Sequence, residues 1–184
     1  MSAIARLLLR CRHEVSGSDL KENTNTRVLK QLGAKIYIGH KASHVKGASE
    51  VIYSSAVKDD NPEVRASRRL GIPLVKRAEA LANLMANKSV VTVAGSHGKT
   101  TTSSLVSCLL MEAGFSPTVA VGGLLKNIDT NACFGDGKFF VAEADESDGS
   151  FLCYKPLYSI ITNIDYEHLD YYKTFENERE AFGR

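Results

Sequence analysis

Residues 90–106 read VVTVAGSHGKTTTSSLV, an apolar β-branched run followed by two glycines, a lysine and three threonines. A loop that enters a helix N-terminus turns its backbone N–H groups toward one point, and the helix dipole adds to their attraction for an anion. Glycine lets the backbone approach phosphate oxygens closely. Lys99 is placed to reach the β- and γ-phosphates of a nucleotide, and Thr100 to put its hydroxyl on Mg2+. The full phosphate-loop pattern would have glycine where Val93 stands, so GSHGKT, Gly95 to Thr100, is a shortened variant. Its context supports phosphate binding, because a strand pattern precedes it and a helical pattern follows. A glycine-rich turn with a surface lysine is the alternative. His97 either touches substrate or faces solvent.

The second stretch, FFVAEADESDGSF at 139–151, carries four acids after an apolar strand: Glu143, Asp145, Glu146 and Asp148. Ligands of open α/β sheets lie beyond the C-terminal strand ends, so these acids share an edge with the phosphate loop. A carboxylate there suits the Mg2+ that bridges nucleotide phosphates. Glu143 is first out of the strand and is the candidate metal ligand, while one or two of the others read as a solvated turn. The third stretch, ITNIDYEHLDYY at 161–172, runs from a strand into Asn163, Asp165, Glu167, His168 and Asp170. A histidine among acids is a candidate metal ligand or proton carrier. A hydrogen-bonded loop residue is the competing reading.

Something must hold these loops at one edge. Short apolar strands alternate with helices along the whole chain, which predicts parallel sheets covered on both faces. The chain opens in an amphipathic helix, MSAIARLLL, and HEVSGSD reads as a strand ending on Asp19. NTRVLKQLGA reads as a helix with Asn25 as N-cap, and NPEVRASRRLG as one with Pro62 in its first turn and Gly71 at its stop. Strands are predicted at KIYIGH, EVIYSSAV, IPLVK, 89–94, PTVAVGG, KFFVAEAD and LYSIITNID. Helices are predicted at RAEALANLMAN, from Lys99 to Ala113, and through TFENEREAFGR. One α/β unit ends near Asn87 and a second begins there.

Composition limits the function classes. The 184 residues are 43% hydrophobic and 24% charged, with a net charge of +2, ordinary for a globular protein with a core. No basic stripe with interleaved aromatics is present, which argues against nucleic acid. No apolar run approaches the roughly 18 residues of a membrane span. Cys11, Cys108, Cys133 and Cys153 form no C-x-x-C pair, which suits reduced thiols in the cytoplasm better than disulfides or zinc.

GSHGKTTT, GGLLKN, AEADESDGSF and TNIDYEHLDYY, in this order and at these separations, resemble the central ATP-binding domain of the Mur ligases. MSAIARLLL, VSGSD and SSAVKDDNPEV resemble the family's N-terminal UDP-binding domain, so the likeness spans essentially the whole chain. EADESD and ITNID look more like the branch that adds L-alanine than like the related ligase that recycles muropeptides. The resemblance implies a Rossmann-like UDP-sugar-binding domain over 1–87 and a P-loop-type parallel α/β ATP-binding domain over 88–184. It implies that Gly95, Ser96, His97, Gly98, Lys99, Thr100 and Thr101 cradle ATP, and that Thr100 and Glu143 hold one Mg2+. His168 would sit at a second metal, Asn127 and Asn163 would border nucleotide and substrate, and Asp19 would lie near the UDP ribose. Lys99, Glu143 and His168 would carry the chemistry. The γ-phosphoryl group of ATP would pass to the carboxylate of UDP-N-acetylmuramate, and the amine of L-alanine would displace phosphate from the acyl phosphate. A P-loop phosphotransferase and a nucleotide-binding module without turnover remain the alternatives. The first helix has no strand and glycine-rich turn before it, and Gly183-Arg184 stops within a helical pattern, so the expectation is a fragment.

Overall fold

The structure, a computed structural model, describes residues 1–125 and 130–184. The chain divides into two compact units, Met1–Ala80 and Leu81–Arg184. The division passes within helix α4 (Arg77–Met85).

In the first unit, α1 (Ser2–Arg10) leads to β1 (Ser16–Asp19), α2 (Thr24–Gln31) and β2 (Lys35–Ile38). Then come β3 (Val51–Tyr53), α3 (Pro62–Leu70) and β4 (Leu74–Lys76). β1 pairs with β2 and β3 with β4, both in parallel. α1 turns Ile4 and Leu7 inward, α2 Leu29 and α3 Val64. α3 follows the sequence pattern: Asn61 accepts from the Glu63 and Val64 amides, Pro62 opens the helix, and Gly71 closes it at φ +69°. α2 corrects it, because the N-cap is Asn23, not Asn25. Asn23 accepts from the Thr26 amide while the Thr26 hydroxyl takes the Asn23 N–H, a reciprocal pair that a scan for glutamate at that offset overlooks.

In the second unit, five strands stand in the order β7-β6-β8-β5-β9. They are β5 (Ser89–Ala94), β6 (Thr118–Leu125), β7 (Thr130–Cys133), β8 (Phe139–Glu143) and β9 (Tyr158–Ile161). β5 pairs in parallel with β8 on one side and β9 on the other, and β8 pairs in parallel with β6. β7 runs antiparallel to β6 at the edge and is an addition to the parallel pattern read from sequence. Its residues, TNAC, lack the apolar run that marked the other strands. The core is Val91, Val119, Val121 and Val141, flanked by Val106, Leu110 and Met111 of α5 (Lys99–Glu112). α5 also buries Ser103 and Ser107, whose hydroxyls bond back to the carbonyls of Thr100 and Ser103. Glu143 proves to be the last residue of β8 rather than the first beyond it. α6 (Leu169–Tyr172) and α7 (Phe175–Phe182) complete the unit, and α7 starts on a Thr174 cap. Among the described residues no helix is long and apolar enough to cross a membrane, and Cys11, Cys108, Cys133 and Cys153 are not joined in disulfides.

α7 buries Glu178 completely, with no hydrogen bond of ordinary geometry to either carboxylate oxygen. Burial holds its carboxyl above the usual value of 4.5, offset in part by His168 and the Glu167 backbone nearby. A carboxyl with a raised folded-state pKa costs stability once pH exceeds its unfolded value. Glu178→Gln should therefore raise the melting temperature at pH 7.5, and the gain should shrink toward zero as pH falls to 4.5. Melts across that range check it; a gain independent of pH would assign the effect to packing. Separately, Asn23→Ala should cost about 1 kcal/mol in urea unfolding. Asn25→Ala, at an exposed helical position, should stay within about 0.5 kcal/mol of the parent chain.

Candidate functional site

Three parallel strands, β5, β8 and β9, release their chains at one edge of the second sheet. The 95–98 loop follows β5. Gly95 has φ +123° and Gly98, the N-cap of α5, has φ +81°, both in the left-handed region that favours glycine. A Cβ on Gly95 would also come within 2.6 Å of the Asn163 carbonyl oxygen, so only glycine fits.

The loop is stitched to the segment beyond β9. Asn163 brackets His97, accepting its N–H at 2.9 Å and donating to its carbonyl at 3.0 Å. The Thr162 hydroxyl also reaches the His97 carbonyl at 2.6 Å, and the Ser96 amide donates to the Asn163 carbonyl at 3.2 Å. Ser96 Oγ accepts the Asp165 N–H at 2.9 Å. The His97 ring projects outward, 63% exposed, with Asp165 at 3.4 Å and Glu167 at 3.7 Å. Thr101 is exposed on the first turn of α5.

Thr100 Oγ1 donates to Glu143 Oε1 at 2.9 Å, and Glu143 Oε2 accepts the Gly122 N–H at 2.5 Å. A Cβ on Gly122 would stand 3.0 Å from that oxygen, and one on Gly123 would stand 2.7 Å from Thr100 Cγ2. The two glycines of β6 thus leave room for the hydroxyl–carboxylate pair. This pair of hard oxygens suits Mg2+, which takes one or two protein ligands and fills its shell with water and phosphate. Among the described residues no group of three or more His, Cys, Asp or Glu side chains forms a cage for a metal.

The four acids of 143–148 have different surroundings. Asp145 accepts from the amide and hydroxyl of Ser147, and Asp148 from the amide of Ser150; both shape the turn. Glu146 is 1% exposed and pairs with Lys99 Nζ at 2.7 Å. His168, at φ +55°, brings Nε2 to 3.7 Å from the same Glu146 oxygen and 3.8 Å from Glu167. The Tyr172 hydroxyl donates to the Glu146 carbonyl at 2.6 Å, and burial pushes its ionisation up. His168 therefore joins Lys99 and Glu146. In the sequence Glu146 is one of four acids in a turn, with nothing to separate it from its neighbours.

In the first unit, Asp19 holds the Lys21 amide and the Asn23 side chain at the start of α2. Beside it, Glu63 accepts from Ser18 Oγ at 2.6 Å and faces Nδ1 of His44 at 2.8 Å and of His40 at 3.2 Å. A carboxylate only accepts, so a hydrogen bond from either ring to Glu63 needs a hydrogen on Nδ1, and His40 Nδ1 also stands 2.8 Å from Ser18 Oγ. Asn127 lies outside the described residues.

Residues 1–89 match the sequence profile of the Mur ligase family, catalytic domain, and residues 93–184 that of the Mur ligase middle domain. The chain is 54% identical to the UDP-N-acetylmuramate–L-alanine ligases of Aquifex aeolicus and Syntrophobacter fumaroxidans over 99% of its own length, and covers 40% and 39% of theirs. It spans about two-fifths of the curated relatives that it matches. The crystal structure of the UDP-N-acetylmuramate–alanine ligase from Thermotoga maritima superposes with a TM-score of 0.94 at 34% identity, over 100% of this chain and 43% of that one. The UDP-N-acetylmuramate:L-alanyl-gamma-D-glutamyl-meso-diaminopimelate ligase from Neisseria meningitides superposes at 0.89 with 28% identity, over 99% and 62%. The phosphate-type loop, the glycines that flank its threonine and the carboxylate facing it all stand within the matched middle domain, and with both of its domains matched the chain belongs to the Mur ligase family.

Proposed function

We propose that the full-length protein is a cytoplasmic, ATP-dependent ligase that joins L-alanine to UDP-N-acetylmuramate in peptidoglycan precursor synthesis. The observation that carries the reading is the Thr100–Glu143 pair set on a glycine loop at a helix N-terminus, in a chain 54% identical to alanine-adding ligases. In this reading residues 1–87, with Asp19, hold the UDP-sugar, and 88–184 hold ATP, with Asn127 bordering the substrate. Gly95, Ser96, His97, Gly98, Lys99, Thr100 and Thr101 cradle the phosphates, and Asn163 keeps the loop in shape from behind.

Thr100 and Glu143 would hold Mg2+, with His168 offered to a second ion; bound there, the metal would offset charge on the transferring phosphoryl group. The chain's own residues supply position. Lys99 meets phosphate charge, the loop amides orient the nucleotide, and a lactyl carboxylate oxygen takes the γ-phosphoryl as its bond to the β-phosphate breaks, giving an acyl phosphate and ADP. The L-alanine amine then attacks its carbonyl and phosphate departs. Neither step asks for a nucleophilic serine or cysteine from the protein.

Full-length protein with ATP, Mg2+ and UDP-N-acetylmuramate should release phosphate in proportion to added L-alanine. Release that needs L-alanyl-gamma-D-glutamyl-meso-diaminopimelate instead would place it with the second branch, and release indifferent to both would sink the ligase reading. Within that assay, Glu143→Gln should lose roughly 10²–10³ in rate and raise the Mg2+ needed for half-activity. Asp148→Asn, which only loosens the Ser150 turn, should fall far short of this. Equal losses would leave Glu143 without a special role.

A further inference from the structure

The Lys99 ammonium has three N–H groups, and three acceptors surround it: Glu146 Oε1 at 2.7 Å, the Gly95 carbonyl at 2.5 Å and the Ser96 carbonyl at 3.4 Å. Two of these belong to the loop itself, so the side chain folds back over the turn that should present it. The bond to Glu146 alone sets charge against charge, and charge-assisted bonds are the strong ones.

Glu146 is held in place for this. Its carbonyl accepts from the Tyr172 hydroxyl at 2.6 Å and from the Gly149 amide at 3.0 Å, and the side chain is 1% exposed. Its second oxygen, Oε2, is buried with no hydrogen-bond partner. A carboxylate so enclosed cannot turn to water, and Lys99 is the cation bound to it at hydrogen-bond distance; His168 stands farther off, at 3.7 Å. An incoming phosphate must draw the ammonium away from this carboxylate, in a site where screening is weak and the ion pair correspondingly strong.

We propose that Glu146 is a positioning residue that competes with phosphate for the Lys99 ammonium and thereby sets the loop's affinity for free triphosphate. This rests on the reading of 95–100 as a phosphate site. Neutralising Glu146 leaves the lysine's charge undivided, so binding tightens. The effect travels through Lys99 and disappears without it.

The test is calorimetric titration of this chain with inorganic tripolyphosphate, free of Mg2+ and at low salt. Glu146→Gln should bind about tenfold more tightly than the parent, the size of coupling usual for residues in direct contact. In a Lys99→Ala background the same change should have no effect, whereas a merely structural role would persist there. Unchanged or weaker binding by Glu146→Gln, or an equal gain without Lys99, overturns the proposal. Glu146→Asp keeps the buried charge but shortens its reach, and should show a smaller gain. If Glu146→Gln lacks a cooperative melt, Glu146→Asp decides, and parent-like affinity there overturns the proposal. Absence of tripolyphosphate binding in every variant would instead sink the phosphate reading on which it rests.

Discussion

Strand β5 is hydrogen-bonded on both sides to strands that run its own way, and every functional feature of the second unit follows from that. Parallel neighbours end at the same edge, so the chains leaving β5, β8 and β9 emerge together. Val93 lies opposite Glu143, and Ala94 opposite Ile161. These pairings set Glu143 against the first turn of α5 and bring Thr162 and Asn163 under the 95–98 loop. Sliding β8 by one residue would turn Glu143 to the other face of the sheet and end its contact with Thr100.

Electrostatics then divides the edge into two compartments. Near β6, Thr100 and Glu143 form a pair of oxygen donors with the Gly122 amide behind them. Near α6, Lys99 and Glu146 form an ion pair with the His168 ring beside it, closed by Tyr172. The first has the hard oxygens that a divalent ion prefers, and the second balances itself. Consecutive residues of α5, Lys99 and Thr100, serve the two because neighbouring side chains on a helix point about 100° apart.

The sequence made the edge legible and left its wiring hidden. Apolar runs marked β5 and β8, since strands buried on both faces must be apolar throughout, whereas β9, a largely exposed edge strand, showed only through the Ile160–Ile161 pair. The glycines and Pro62 marked where helices start and stop. β7 escaped because an edge strand can be polar, as TNAC is. The Asn23 cap escaped because either of two asparagines fits the local pattern, and only the reciprocal Thr26 bond distinguishes them. Glu146 escaped for a deeper reason. Four acids in one turn look alike until the fold makes one face the interior, and that depends on Lys99, 47 positions away.

The stitching of the glycine loop has a consequence for how the chain is made. His97 is fixed by Asn163, 66 positions later. A ribosome adding about 5–20 residues per second leaves the loop without its partner for roughly 3–13 seconds. β5 likewise waits for both neighbours, with an apolar run exposed and two unpaired edges. Until β9 emerges, this segment, which runs into the proposed phosphate loop, is an open template for any strand nearby.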